Sequence, residues 1–139
     1  FVACRQEIRE YLVNTVRPLI FSTALPPFSV RWTEFAMEAL LGRNNEREHL
    51  AGIAARLREG LATVGLKTGG ESHIVPLVVG ANEKAVRLAD CLQDNGFFAL
   101  PIRRPTVPTG GERLRFSLTT GITEAHIDQI VELCKAFGN

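Results

Sequence analysis

Four arginines within residues 102–120, IRRPTVPTGGERLRFSLTT, are the side chains with the clearest chemical use. Arg113, Arg115, Ser117 and Thr119 alternate with Leu114, Phe116 and Leu118. Successive side chains of a strand point to opposite faces. The spacing therefore predicts a strand over 113–119, with the apolar set in the core and two guanidiniums and two hydroxyls on an open face. Such a face suits an anion, above all a carboxylate, because the planar guanidinium fork donates two parallel hydrogen bonds. Arg103 and Arg104 come from the preceding loop and could close over the same place. Pro105 and Pro108 restrict that loop, so less entropy is lost on binding. Gly110 and Gly111 let the backbone turn sharply into the strand. The plainer alternative is a set of surface arginines paired with Glu112 and other acids.

Little else in the chain offers chemistry. His49, His73 and His126 show no metal-ligand spacing and read as ordinary surface or core residues. No metal site is expected. Cys4, Cys91 and Cys134 fit neither a zinc site nor a CxxC pair, and read as reduced, buried thiols of a cytoplasmic protein. Lys67, Lys84 and Lys135 lie in polar settings, unlike a desolvated catalytic amine. No Gly-x-Ser-x-Gly, Walker or Rossmann motif is present. The 139 residues carry a net charge of only +1, which argues against nucleic acid or an anionic membrane as partner. No apolar run approaches the ~20 residues that span a bilayer.

The elements that would position the arginines follow from periodicity. Phe1–Cys4 reads as the end of a strand. Ile8, Tyr11, Leu12, Thr15 and Val16 mark a helix closed at Pro18. LIFSTALPP (19–27) is irregular. Trp32, Phe35, Ala36, Ala39 and Leu40 mark a second helix, broken at GRNN (42–45). A third carries Leu50, Ile53, Ala54, Leu57, Leu61 and Val64, with its charges facing solvent. HIVPLVVG (73–80) predicts a strand that Pro76 would restrict to an edge or a bulge. A helix through Ala85, Leu88, Ala89 and Leu92 follows, then a strand at FFAL (97–100). Thr123 is placed to cap a last helix that buries Ile127, Ile130, Val131, Cys134 and Phe137. The order predicts an α/β chain of the α+β kind: a small sheet of about three strands covered by helices on one face.

Four segments, RPLIFSTALPP (17–27), ESHIVPLVVG (71–80), GFFALPIRRPTVP (96–108) and GERLRFSLTT (111–120), occur in this order and at intervals that resemble the C-terminal part of the α-oxoamine synthases. These are pyridoxal 5'-phosphate (PLP) enzymes of the aspartate-aminotransferase fold, fold type I. The resemblance implies that residues 1–27 are a remnant of the large PLP-binding domain and that residues 28–139 are the C-terminal small domain. The family joins an amino acid to an acyl-CoA with loss of carbon dioxide, as a homodimer. It implies that Ser22 and Thr23 reach the cofactor phosphate of the partner subunit, that Arg115 binds the amino-acid carboxylate, and that Thr106 contacts substrate. Arg103 stands where the biotin-pathway branch, which couples alanine to pimeloyl-CoA or its carrier-protein thioester, has an arginine. Glycine C-acetyltransferase and 5-aminolevulinate synthase, other branches, tend to lack it. Arg104 departs from the family's proline, which predicts a looser loop. The chain begins with Phe1, not Met, and its opening reads as the interior of a longer protein. The family's Schiff-base lysine is expected upstream, so the chain alone is expected to hold no cofactor and to be inactive. A stand-alone α/β regulatory module that binds a carboxylate through Arg113 and Arg115 is the alternative from another class.

Overall fold

The computed structural model describes residues 2–138, in two compact units that divide between Gly42 and Arg43. The expectation for Phe1 lies outside the described residues. Val2–Cys4 belong to no strand, because every strand pairing among the described residues lies within 67–117.

The first unit is helical. α1 spans Gln6–Thr15 and ends at Val16. α2 spans Arg17–Ile20, with Pro18 in its first turn, where the missing N–H costs nothing. α3 spans Pro27–Leu40 and likewise opens on proline. None of the three helices has a buried residue. Along α3, Phe28 stacks on Trp32 with ring centroids 6.3 Å apart, and Trp32 meets Phe35 at 5.7 Å. All three rings are more than half exposed.

The second unit is a two-layer sandwich. Its helices are α4 (Asn44–Thr63), α5 (Asn82–Asp94) and α6 (Glu124–Gly138). Its strands are β1 (Lys67–Thr68), β2 (Ile74–Val78), β3 (Leu100–Ile102) and β4 (Arg113–Ser117). The sheet runs β1-β2-β4-β3 and every pair is antiparallel. A two-residue β1 therefore joins the three strands read from the sequence. α4 packs over β1 and β2, α5 over β3 and β4, and α6 against both helices.

Local chemistry explains two departures from the sequence reading. β2 is an inner strand, not an edge, yet it carries Pro76. The Pro76 carbonyl accepts from the Thr68 hydroxyl at 2.8 Å, so that edge of Pro76 faces β1, whose last residue, Thr68, pairs with Leu77. The absent N–H thus costs no ladder bond. The expected strand at 97–100 begins only at Leu100. Gly96, at φ 85°, turns the chain so that the Phe97 N–H still donates to Leu92 O at 2.9 Å, closing α5.

The core joins Ile53, Ala54, Leu57 and Leu61 of α4 to Val75 and Leu77 of β2, Leu114 and Phe116 of β4, Ala85, Leu88 and Leu92 of α5, and Ile127, Ile130 and Cys134 of α6. Thr123 caps α6 as expected. Its hydroxyl accepts the His126 N–H at 3.3 Å, while the Thr123 N–H donates to the His126 ring at 3.2 Å. His126 thereby does the work of the glutamate in a capping box.

Of the cysteines expected to be buried, Cys134 is, Cys91 is half-buried and Cys4 is exposed. Burial pushes the Cys134 thiol up to about 12, and Cys91 adds to the shift. The thiolate is the reactive form. At pH 8 an alkylating reagent is therefore expected to modify Cys4 and to spare Cys134 until urea unfolds the chain. Peptide mapping that finds Cys134 modified first would refute this.

The α4–α6 contact depends on Gly60. A Cβ there would lie 2.7 Å from Val131 Cγ2, a methyl on a stiff β-branched side chain. Overpacking costs about 1–3 kcal/mol, more than the ~1 kcal/mol of helix propensity that alanine adds. Gly60→Ala is expected to lower stability in urea denaturation and, in a Val131→Ala background, to become neutral or stabilising. An equal loss in both backgrounds would rule out this contact as the cause.

Candidate functional site

The four arginines do not converge. β4 alternates as predicted: Leu114 and Phe116 are buried, Arg115 and Ser117 exposed. Residues paired across the sheet share a face. Arg115 is opposite Pro76 on β2 and Leu100 on β3, and Arg113 is opposite Val78 and Ile102. The open face thus sets each guanidinium between apolar neighbours. Arg113 is partly committed, since its Nε–H donates to Gly111 O at 2.7 Å. The Arg115 guanidinium has no hydrogen-bond or ion-pair partner among the described residues.

Arg104 is used structurally. Its Nε lies 3.5 Å from an oxygen of Glu112, a carboxylate that is only 2% exposed. The other Glu112 oxygen accepts the Gly110 N–H at 2.8 Å, and the Glu112 carbonyl accepts the N–H groups of Val79 and Gly80 at 2.8 and 3.1 Å. Where a looser loop was expected, Arg104 ties it down. The two glycines are needed there for different reasons: Gly110 has φ 81°, and a Cβ on Gly111 would lie 3.0 Å from Pro108 O. The Arg104–Pro105 bond is cis, and the Thr106 N–H donates to Arg103 O at 3.0 Å. Thr106 is exposed and its hydroxyl has no partner among the described residues.

Arg103 lies elsewhere. It lies just past the end of β3 and lines a groove with Asn82, Glu83, Val86 and Arg87 of α5. Arg87 was not singled out from the sequence, where it looks like any charge on a solvated helix face. In the first unit, the Ser22 hydroxyl donates to Leu19 O at 3.1 Å in the turn after α2. Thr23 is exposed, with a free hydroxyl among the described residues. Lys67, Lys84 and Lys135 are all exposed. No group of three acidic, histidine or cysteine residues that could hold a metal occurs among the described residues. Among those residues no helix is long and apolar enough to cross a membrane.

Residues 1–133 match the family of class I and II aminotransferases. The chain belongs to that family. Among individual class I and II aminotransferase relatives, it is 51% identical over 122 residues to the 8-amino-7-oxononanoate synthase of Chlorobaculum parvum, covering 88% of this chain and 31% of that one. It is 47% identical over 135 residues to the synthase of the same name from Haemophilus ducreyi, covering 94% and 34%. The structure superposes on the 8-amino-7-oxononanoate synthase of Francisella tularensis with a TM-score of 0.80 at 27% identity, over 96% of this chain and 39% of that one. It superposes on a serine palmitoyltransferase of S. paucimobilis, solved with a PLP–myriocin aldimine, with a TM-score of 0.81 at 28% identity, over 99% and 35%. These likenesses place the chain among fold type I PLP enzymes and agree with the expected α-oxoamine synthase kinship. The chain spans about a third of the length of the curated relatives it matches.

The buried carboxylate gives a direct test of the loop's tether. Glu112→Ala is expected to cost about 1–3 kcal/mol in urea denaturation, the usual range for losing a buried hydrogen-bonded group. Hydrogen exchange at the Gly110 amide should rise in parallel. Unchanged stability together with unchanged exchange would remove Glu112 from this role.

Proposed function

We propose that this chain serves a PLP-dependent 8-amino-7-oxononanoate synthase, which condenses L-alanine with pimeloyl-CoA, or its carrier-protein thioester, and releases carbon dioxide and the thiol in the biotin pathway. The observation that carries the proposal is Arg115: an uncommitted guanidinium on an open sheet face, opposite Pro76 and Leu100. Its fork fits the alanine carboxylate and its apolar neighbours fit the methyl side. Similarity to two enzymes of that name at about half identity supports the choice of reaction.

The other residues take supporting roles in this reading. Thr23 presents a free hydroxyl, and Ser22 one that would exchange its bond to Leu19 O, for the phosphate end of PLP in the neighbouring subunit of a homodimer. Nothing among the three exposed lysines suits the Schiff base, so that residue belongs to chain outside these 139. Bound PLP supplies an electron sink for the carbanion left by alanine. Arg115 holds the carboxylate and so fixes which bond at the α-carbon lies ready to break. Thr106, with its free hydroxyl, and Arg103 serve the acyl donor. Residues 1–27 belong to the large domain and 28–139 to the small one. The exposed Leu19, Ile20, Phe21 and Leu25 and the α3 rings are the faces on which the rest of the enzyme packs. The reading carries a cytoplasmic location with it.

The test is Arg115→Gln in the complete enzyme. Hydrogen bonds to charged groups contribute about 1.5–3 kcal/mol, so the alanine KM should rise about 10- to 100-fold while the thioester KM stays near its original value. An unchanged alanine KM would sink the proposal. The 139-residue chain alone should show no turnover and no shift in melting temperature with alanine. A clear shift would favour the carboxylate-binding module instead, since a ligand at 100 times its Kd adds about 2.7 kcal/mol.

A further inference from the structure

A groove of about 240 Å³ lies whole within the second unit, between α4 and the loop that leads into β2. Arg47, Ala51, Ala54 and Arg58 line it at helical spacing along α4, with Leu50 beside them, and Glu71 lines it from the loop. Arg58 is held in place: its Nη1–H donates to Ser72 O at 2.8 Å. The loop is held as well. Gly70 turns it at φ 78°, the Ser72 Oγ accepts the Ile74 N–H at 3.2 Å, and the His73 carbonyl accepts the Leu118 N–H at 3.1 Å. The Glu71 carboxylate, on this fixed loop, has no hydrogen-bond or ion-pair partner among the described residues. Arg115 does not line this groove and stands on the open face of β4.

Opposite charges thus share one groove without meeting. Arg58 bonds to the carbonyl of the residue next to Glu71, yet among the described residues the guanidinium and that carboxylate form no ion pair. Arg47, which also bonds the Asn44 side chain at 2.7 Å, adds to the positive charge. A ligand with a single charge would satisfy one side and be repelled by the other. A ligand with both charges satisfies both, its carboxylate on the Arg58 fork and its ammonium on Glu71. An α-amino acid carries the two charges on one carbon, and its size suits a groove smaller than the ~300 Å³ at which drug-sized pockets begin. Leu50, Ala51 and Ala54 form the apolar part of the lining, which gains from an aliphatic side chain. Because hydrogen bonds already fix the loop and Arg58, little further ordering is needed on binding.

We propose that this groove binds a free aliphatic α-amino acid, with the carboxylate on Arg58, the ammonium on Glu71 and the side chain on Leu50, Ala51 and Ala54. It is a second amino-acid site, apart from the place where the synthase reading puts alanine. The proposal needs neither Arg115 nor that reading.

The 139-residue chain is the sample, since the unit that holds the groove has its own closed core. It is titrated with L-leucine, leucinamide, N-acetylleucine and L-alanine, following the backbone amide resonances. Leucine should shift Ala51, Ala54, Glu71 and Ser72 and leave Leu114–Ser117 unmoved. Leucinamide lacks the carboxylate and N-acetylleucine lacks the ammonium, so each should bind at least tenfold more weakly. Alanine brings a single methyl to the apolar lining and should also lose at least tenfold, binding too weakly to raise the melting temperature. Glu71→Lys should weaken leucine at least tenfold. Arg58→Gln should weaken it more than Arg58→Lys does, and Arg115→Gln should change nothing. Arg58 also tethers Ser72, so its variants can loosen the loop. Glu71→Lys removes no side-chain hydrogen bond among the described residues and is the decisive variant, with its melting temperature as the check that it folds. The absence of leucine-dependent shifts at these amides, either derivative matching leucine, full affinity in Glu71→Lys, or loss of affinity in Arg115→Gln would each overturn the proposal.

Discussion

Glu112 sits where three parts of the second unit meet, and its burial forces them together. A carboxylate at 2% exposure must have its oxygens satisfied, or the cost of removing it from water is not offset. The Gly110 N–H and Arg104 satisfy them, and both belong to the loop between β3 and β4. The same residue's carbonyl takes two N–H groups from the end of β2. One side chain and one peptide group thus fix the loop, the entry to β4 and the turn that leads into α5. Arg113, Arg115 and Arg103 all inherit their positions from that junction.

This division of labour explains why four similar arginines do four different things. Arg104 is spent on Glu112 and Arg113 on a neighbouring carbonyl. Those two are held by the fold. Arg115 and Arg103 are held only through their backbones. A guanidinium left without a partner in a protein that has 15 acidic residues is a weak signal at any one position. It becomes informative when the backbone beneath it is fixed on both sides, as β4 is by β2 and β3.

The regular parts of this arrangement were legible in the sequence. Period-2 alternation over 113–119 gave the buried and open faces of β4, and the 3.6-residue stripes gave the core faces of α4, α5 and α6. Thr123 was readable as a cap. What was not legible depended on partners distant in sequence. Pro76 argued for an edge because local rules cannot see that β1 is only two residues long. Arg104 suggested a looser loop because its departure from the family's proline was visible; Glu112 was readable as a surface partner for the arginines, but its burial was not. The grouping of all four arginines failed because Arg103, just past the end of β3, lines a groove with α5, while Arg113 and Arg115 stand on the open face of β4. Arg87 carried no signal at all until the fold set it beside Arg103.

The two units also differ in what holds them. The second has a closed core in which Leu57, Leu61, Leu77, Leu92, Leu114 and Ile127 are fully buried. The first buries none of its helix residues and exposes Phe28, Trp32 and Phe35 in a row. Burying a large apolar side chain contributes about 1.5–3 kcal/mol, so a unit that buries none has little to offset the entropy of ordering its helices. Its order must come from surfaces beyond its own residues. Ser22 and Thr23 lie in that unit, which ties any phosphate contact they make to the surface that covers it. The carboxylate site proposed on β4 has no such dependence, because the strand is ordered by its own sheet. Half of the proposed chemistry is thus built into the second unit, and the other half waits on assembly.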